Sequence, residues 1–417
     1  MAAIRTRHEQ EKSRDIWTER KENATLIAGL GESRMSKPTF YEFFAGGGMA
    51  RAGLGDDWRC LFANDFDARK VDSYKANWGG SEIRHGDIYA LDTANLPGRP
   101  DLAWGSFPCQ DLSLAGNGAG LGGLRSEAFW GYYRIIDALK AEGRAPKILV
   151  LENVVGALTS NGGRDFEELF RALDLLGYCY GALTMDAVHF LPQSRPRLFI
   201  VAVRKDMPLA GELVRDAPGG VWTSDALVRA QARLPLRLHK NWRWWNVPEA
   251  PGSNARLADL IEDEPRDVSW HTVAETARFL DMMSEANRKK VERARRTGER
   301  KVGAIYRRTR LDGAGEKVQR AEIRFDDVAG CLRTPGGGSS RQFIMVVEGD
   351  RARTRLLSPR EAARLMGLPD EYKLPGNYNE AYHLMGDGLA VPVVRHLAEN
   401  LLRPLVEGVQ EFRAAAE

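Results

Sequence analysis

"GSFPCQDLS", residues 105–113, sets a cysteine directly behind a proline at the end of an apolar run. Cys109 is one of four cysteines, with Cys60, Cys179 and Cys331, spread along 417 residues without a C-x-x-C pair. That spacing argues against a zinc site or a disulfide framework and suits a reducing compartment. Any one of the four could be a small buried apolar residue, but the setting of Cys109 points to chemistry. Pro108 fixes its own φ and biases Phe107 toward extended geometry, so the approach of the thiol is held in place. A further apolar run ends in "LENVVG", bringing Glu152 and Asn153 to a strand end. A nucleophilic thiol and a carboxyl group on adjacent strand ends suit covalent catalysis; a strand-end helix cap is the plainer reading of Glu152, discounted because an acid directly after "ILVL" is unusual. In "LPQSRPRLFIV", Gln193, Arg195 and Arg197 alternate at strand period, so the arginines share a face. Two structural salt bridges would also account for them.

A second group of residues reads as a nucleoside pocket. "FYEFFAGGGMARAGLG" is a strand, a turn and a helix start, in which Phe44, Ala45, Gly46, Gly47 and Gly48 let the backbone come close to a ligand. Asn64 and Asp65 end the next strand-like run, where an acidic residue binds ribose hydroxyls in doubly wound folds. Asp87 and Ile88 in "HGDIYAL" suit the amino group and the apolar face of an adenine. The G-x-G-x-x-G pattern fails at Arg51, which excludes the usual dinucleotide fingerprint and favours S-adenosylmethionine over a nicotinamide cofactor. A merely structural turn is the competing reading of the glycines.

These residues need elements to hold them. "TFYEFF", "RCLFAND", "DLAWGS", "PKILVLENV" and "RLFIVAV" read as buried strands. "ARKVDSYKANW", "AFWGYYRIIDALKAEG" and "DFEELFRALDLLG" have helical spacing between them. The alternation predicts an α/β fold with a doubly wound, mostly parallel sheet. The expected organisation is a charged extension over 1–38, with a helix possible in "SRDIWTERKENATLIAGL", then a catalytic and cofactor-binding domain over 39–204. An inserted region over 205–345 and a C-terminal return over 346–417 complete it. "LSPREAARLMGLPD" carries a capping box, Ser358 with Glu361, and Gly367 can end that helix.

The inserted region holds "HKNWRWWNVP", whose Trp242, Trp244 and Trp245 read as core. Its stretch 288–310 has eleven Lys or Arg against two Glu. That stretch would contact phosphates, or form a solvated helix face broken by Glu292 and Glu299. The net charge of +3 excludes nothing by itself. No run reaches the roughly 20 apolar residues of a membrane span, and the charged "MAAIRTRHEQEKSRDIW" has no apolar stretch of a secretory signal.

In order along the chain, "FFAGGG", "PCQ", "ENV", "QSRPR", "RLLSPREAARLMGLP" and "GDGLAVPVVRHL" resemble the motifs of the bacterial-type DNA cytosine-5 methyltransferases. The resemblance covers most of 40–205 and 350–400. It implies a methyltransferase fold with a target-recognition domain in the 205–345 slot, S-adenosylmethionine as cofactor and no metal. It implies that the Cys109 thiolate attacks carbon 6 of a flipped cytosine, that Glu152 contacts ring nitrogen 3 and the exocyclic amine, that Arg197 meets O2, and that Arg195 orders the site. Pro108 and Asp387 would join the cofactor contacts. Gln110, Ser113, Arg333, Thr334, Gly337, Ser339 and Arg341 would meet DNA, the arginines reading guanine or gripping phosphate. The implied partner is double-stranded DNA, with a cognate restriction endonuclease acting separately. The enzyme would be a monomer of the bacterial cytoplasm or nucleoid. Glu42 stands where the family has Asp, Asp65 where Glu is commoner, and Asp387 where Asn is usual. RNA methylation, or a silent DNA-binding relative, are the other readings.

Overall fold

Five apolar runs become strands because helices cover both faces of the sheet they form, which is why they read as near-continuous hydrophobic stretches. The computed structural model describes residues 36–108, 127–311, 313, 315–334 and 341–414. The expectations for Cys109, Gln110, Ser113, Gly337 and Ser339, and for a helix near residues 13–30, lie outside the described residues. Residues 38–417 form one unit, and the description below concerns that unit.

Among the described residues, seven strands make the main sheet: β1 (Thr39–Phe43), β2 (Arg59–Asp65), β3 (Ile83–His85), β4 (Leu102–Gly105), β5 (Ile148–Val154), β6 (Tyr178–Asp186) and β7 (Pro196–Arg204). Their order is β3-β2-β1-β4-β5-β7-β6. β1, β2, β3, β4 and β5 run parallel, and β7 runs antiparallel between β5 and β6. The strand order reverses between β1 and β4, which opens a crevice at their carboxyl ends. The helices α1 (Met49–Leu54), α2 (Ala68–Trp78), α3 (Glu127–Ala141) and α4 (Arg164–Leu176) form the layers.

Sequence reading places no strand over β6, because Gly181 interrupts its apolar pattern. The glycine is there for space: a Cβ on it would lie 2.0 Å from the Arg243 carbonyl oxygen and 2.7 Å from Trp245 Nε1. The segment bearing the tryptophans thus lies directly on the sheet. Trp242 packs on Phe166 and Phe170, and Trp242, Trp244 and Trp245 are all buried.

β8 (Val214–Arg215) and β9 (Trp244–Trp245) pair beside β6. A separate antiparallel sheet contains β10 (Lys301–Leu311), β11 (Lys317–Arg324), β12 (Phe343–Glu348) and β13 (Arg351–Leu356), in the order β11-β10-β12-β13. It extends past position 345 to Leu356. Val291 and Ala294, from the basic helix Glu285–Arg296, pack on its Ile305, Ile323 and Met345. The helix Pro359–Leu365 starts with the expected capping box of Ser358 and Glu361, and Gly367 follows it at φ 76°.

Candidate active site

A cavity of about 470 Å³ sits at the carboxyl ends of β1, β2, β4 and β5. That volume is within the range of small-molecule and cofactor sites. One wall is the turn after β1, where Phe44 (φ 57°), Gly46 (φ 55°) and Gly48 (φ 78°) are all left-handed. Such a conformation at a non-glycine residue costs about 1–3 kcal/mol and persists where the surroundings enforce it. Enforcement comes from Trp78 Nε1 and Tyr372 Oη, which donate to the Gly47 carbonyl at 3.0 and 2.8 Å. The Asp65 carboxylate at the end of β2 completes it by accepting from Gly46 N at 2.8 Å and Asp67 N at 2.9 Å. A Cβ on Gly48 would meet Trp78 Nε1 at 2.3 Å, and one on Gly388 would meet Met49 Sδ at 2.2 Å. Both glycines leave room for neighbouring side chains, and Gly46 and Gly47 on one side and Gly386 and Gly388 on the other line the cavity.

Beneath the turn lies Glu42, on β1 and 1% exposed. Its Oε1 accepts from Arg51 N at 3.4 Å, while Oε2 has no hydrogen-bond partner among the described residues. Burial pushes its pKa up to about 8, against smaller lowering effects from Arg51.

The far wall is built by strand direction. Because β7 runs opposite to β5, the first residues of β7 lie beside the last residues of β5, and Val154 pairs with Arg197. Arg197 Nε thereby reaches Glu152 Oε1 at 3.1 Å. Burial raises the pKa of the Glu152 carboxyl, opposed by Arg197, then Arg195, then a hydrogen bond from Ser106. Asn153 Nδ2 donates to the Phe107 carbonyl at 3.1 Å, tying β5 to the segment that leads to Cys109. Pro108 lines the same cavity. Arg195 turns away from it and is 2% exposed. Its guanidinium donates to the carbonyls of Leu332 at 2.8 Å and Gly386 at 2.8 Å, and also to Gly388. Burial, and then Arg197, bring its pKa down to about 10.

A glycine cradle, an acidic strand end and a carboxyl–guanidinium pair share one cavity, and the model of the C-5 cytosine-specific DNA methylases matches residues 38–403. The chain belongs to that family. As a DNA cytosine methyltransferase, it is 26% identical to the Type II methyltransferase M1.ScrFI of Lactococcus lactis subsp. cremoris, over 91% of this chain and 82% of that one. It is 25% identical to the Type II methyltransferase M.HhaI of Haemophilus parahaemolyticus, over 89% and 96% of the two chains. The fold is shared with the Dnmt2 methyltransferase of S. pombe, at a TM-score of 0.54, 19% identity, and coverage of 88% and 99%.

The methylase places the remaining expected residues unevenly. Phe44, Ala45, Gly46, Gly47, Asp65, Pro108, Glu152, Arg197 and Asp387 line the cavity. Gly48 supports the turn from behind. Asn64 does not line it; its amide donates to the carbonyls of Arg84 at 3.0 Å and Gly86 at 2.9 Å and so holds β2 to the loop after β3. Asp87 caps a short helical turn through Tyr89 N, and Ile88 is in the core. Asp387 forms an ion pair with Lys70 at 2.7 Å and is hydrogen-bonded by Thr334. Arg341 bonds Asn379 and lies over the Tyr378 ring, whereas Arg333 is exposed. In the basic stretch, Lys289 pairs with Glu285, Arg295 with Glu292, and Arg308 and Arg310 with Glu322. Sequence reading passed over Phe66 and Lys70 as cavity residues. Phe66 is 73% exposed, an unusual position for a phenylalanine next to a strand-end acid.

Proposed function

We propose that this enzyme moves a methyl group from S-adenosylmethionine to carbon 5 of a cytosine flipped out of duplex DNA, within one short recognition sequence. The carrying observation is the single cavity that unites the glycine cradle with the Glu152–Arg197 pair. The residues present fit the cofactor. Asp65 keeps lone pairs for ribose hydroxyls, the exposed Phe66 ring offers a stacking face, and the orphaned Glu42 Oε2 suits an ammonium group. When bound, S-adenosylmethionine supplies an electrophilic methyl carbon.

The chain's own groups do the rest. The target base must leave the stack, because its ring atoms are unreachable in the duplex. The Cys109 thiolate adds to carbon 6, on a path stiffened by Pro108 and by the Asn153–Phe107 bond. Glu152, whose carboxyl burial shifts toward the protonated form, donates to ring nitrogen 3 as negative charge develops there and takes the proton back on elimination. Arg197 holds O2, and Arg195 fixes the helix end Gly386–Gly388 against the cradle. The proton on carbon 5 passes to water, and elimination frees Cys109. Arg333 and the exposed cations of the helix Glu285–Arg296 supply phosphate contacts. The Type II names of the relatives support a restriction-modification setting, with the endonuclease acting separately and this enzyme working as a monomer in the bacterial cytoplasm or nucleoid. Among the described residues, no helix is long and apolar enough to cross a membrane. The test is transfer of labelled methyl groups to duplex DNA and to transfer RNA in parallel: label in DNA is expected, and label in RNA alone would overturn the reading.

Glu42 gives this reading a pH signature. Its carboxyl is mostly protonated at neutral pH, and a cation placed against Oε2 stabilises the ionised form. Cofactor binding at neutral pH should therefore release up to about one proton, an uptake-and-release effect of linkage. Affinity should strengthen as pH rises toward the Glu42 pKa of about 8. Titration calorimetry in buffers of different ionisation enthalpy reads the proton directly. Glu42→Gln should abolish the release; unchanged release in that variant would place the ammonium elsewhere.

A further inference from the structure

Arg195 and Arg197 bring two guanidinium groups close together, and one further atom touches both. Cys331 Sγ lies 3.5 Å from Arg195 Nη1 and 3.8 Å from each of Arg197 Nη1 and Nη2. The sulfur thus faces the open fork of Arg197, whose Nε is held by Glu152 at 3.1 Å and whose Nη1 also reaches the Pro196 carbonyl at 2.9 Å. Cys331 is half-buried on the irregular segment that follows β11 and the isolated bridge of Ala329 to Gln193. We propose that Cys331 is a positioning residue for methyl transfer, its sulfur serving as the shared anionic acceptor that aims Arg197 into the cavity and lets it stand beside Arg195.

The charges around the sulfur favour this role. Facing it are Arg195 and Arg197 from the start of β7, Arg333 from its own segment, and the Tyr382 hydroxyl from the helix Tyr378–Asp387. Glu152 lies across Arg197 from it. Burial raises the thiol's pKa, and the combined pull of Arg195 and Arg197 outweighs that, leaving it below the ordinary thiol value. Glu152 is shifted toward its neutral form and meets Arg197 at Nε only, so it balances two adjacent cations poorly, whereas a thiolate can balance one of them. The geometry of Arg197 then has an electrostatic hold on each side: the carboxyl at Nε and the sulfur at the terminal nitrogens. Sequence reading offered no clue, because nothing in "AGCLRTP" separates this cysteine from a small buried residue.

The inference rests on the function proposed above, and the test separates the two. Cys331→Ser keeps the size and a weak acceptor but cannot ionise at accessible pH. It should lower kcat roughly tenfold, the loss of one charge-assisted hydrogen bond, with the KM for S-adenosylmethionine unchanged. The acid-side fall in the wild-type pH–rate profile should flatten. A structural cysteine would show neither the split between kcat and KM nor the altered profile. Independently of turnover, thiolate ultraviolet absorbance is titrated in Cys109→Ala and in Cys109→Ala with Cys331→Ser. The difference should show a thiol ionising below the ordinary value of about 8.5, and Arg197→Met should move it upward. Wild-type kcat in Cys331→Ser, or a thiol titrating at its ordinary value, would overturn the proposal. If the wild type transfers no methyl group to DNA, the functional reading fails, and the absorbance titration still decides whether the sulfur is the anion between the two arginines.

Discussion

Exchanging Glu152 for glutamine is expected to lower kcat by about 10²–10⁴-fold, the range of a positioned general acid, with cofactor affinity nearly unchanged. The side chain is 9% exposed, and its pKa is raised by burial against the opposing pull of Arg197 and Arg195. A raised pKa favours the protonated carboxyl, the form that can give its proton to ring nitrogen 3 as the cysteine adds. The sign of the pH effect follows: the active, protonated form is present below the pKa of Glu152 in the folded enzyme and is lost as pH rises through it. Wild-type kcat should therefore decline on the alkaline side. The glutamine variant, which has no such proton, should lack that limb. Glutamine keeps the size and an oxygen for Arg197 Nε, so folding should be preserved and the loss should be chemical. Single-turnover methyl transfer across pH reads both features, and a variant with wild-type kcat would remove Glu152 from the mechanism.

Arg195→Met should have its largest effect on stability. Three carbonyls, those of Leu332, Gly386 and Gly388, depend on that buried guanidinium. Leaving buried acceptors unpaired costs about 1–3 kcal/mol each, so a loss of roughly 3–5 kcal/mol is expected after partial relaxation. The helix end Gly386–Gly388 forms one side of the cofactor cavity, so cofactor binding should weaken as well. Arg197→Met makes the contrast. Its side chain is 14% exposed and faces the cavity, so the urea midpoint should move little while turnover collapses. Equal destabilisation by the two substitutions would contradict the division between an arginine that holds the helix end and one that meets the base.

The residues that could be read from sequence are those whose role is local. The glycine turn, the acid at the end of β2 and the capping box of Ser358 and Glu361 are legible from residue type and short spacing, although Trp78 and Tyr372, far along the chain, hold the turn in its left-handed form. Three of the helices kept their expected spans within a residue or two for the same reason. What escaped depends on distant packing. β6 was hidden because Gly181 makes room for the backbone of Arg243, more than sixty positions along the chain. Asn64 and Asp65 stand side by side, yet Asn64 points to the β3 loop while Asp65 reaches the glycine turn. Arg195 and Arg197 share a strand period, yet the first is enclosed by a helix end nearly two hundred positions later in the chain, and only the second faces the cavity. The contacts of Cys331 required the antiparallel sheet to deliver a segment far from β7 in sequence. Asp387 reads as a cofactor contact from its motif, but its ion pair with Lys70 comes from a helix more than three hundred positions earlier.

In the proposed function Cys109 is the nucleophile that activates cytosine for methylation within a short DNA sequence. The decisive measurement is a map of 5-methylcytosine in plasmid DNA from cells that express the wild type or Cys109→Ala. Methylation at one short motif is expected with the wild type and none with the variant at equal amounts of folded protein. Equal methylation from both proteins would contradict the covalent mechanism, and none from a well-folded wild type would contradict DNA as the substrate.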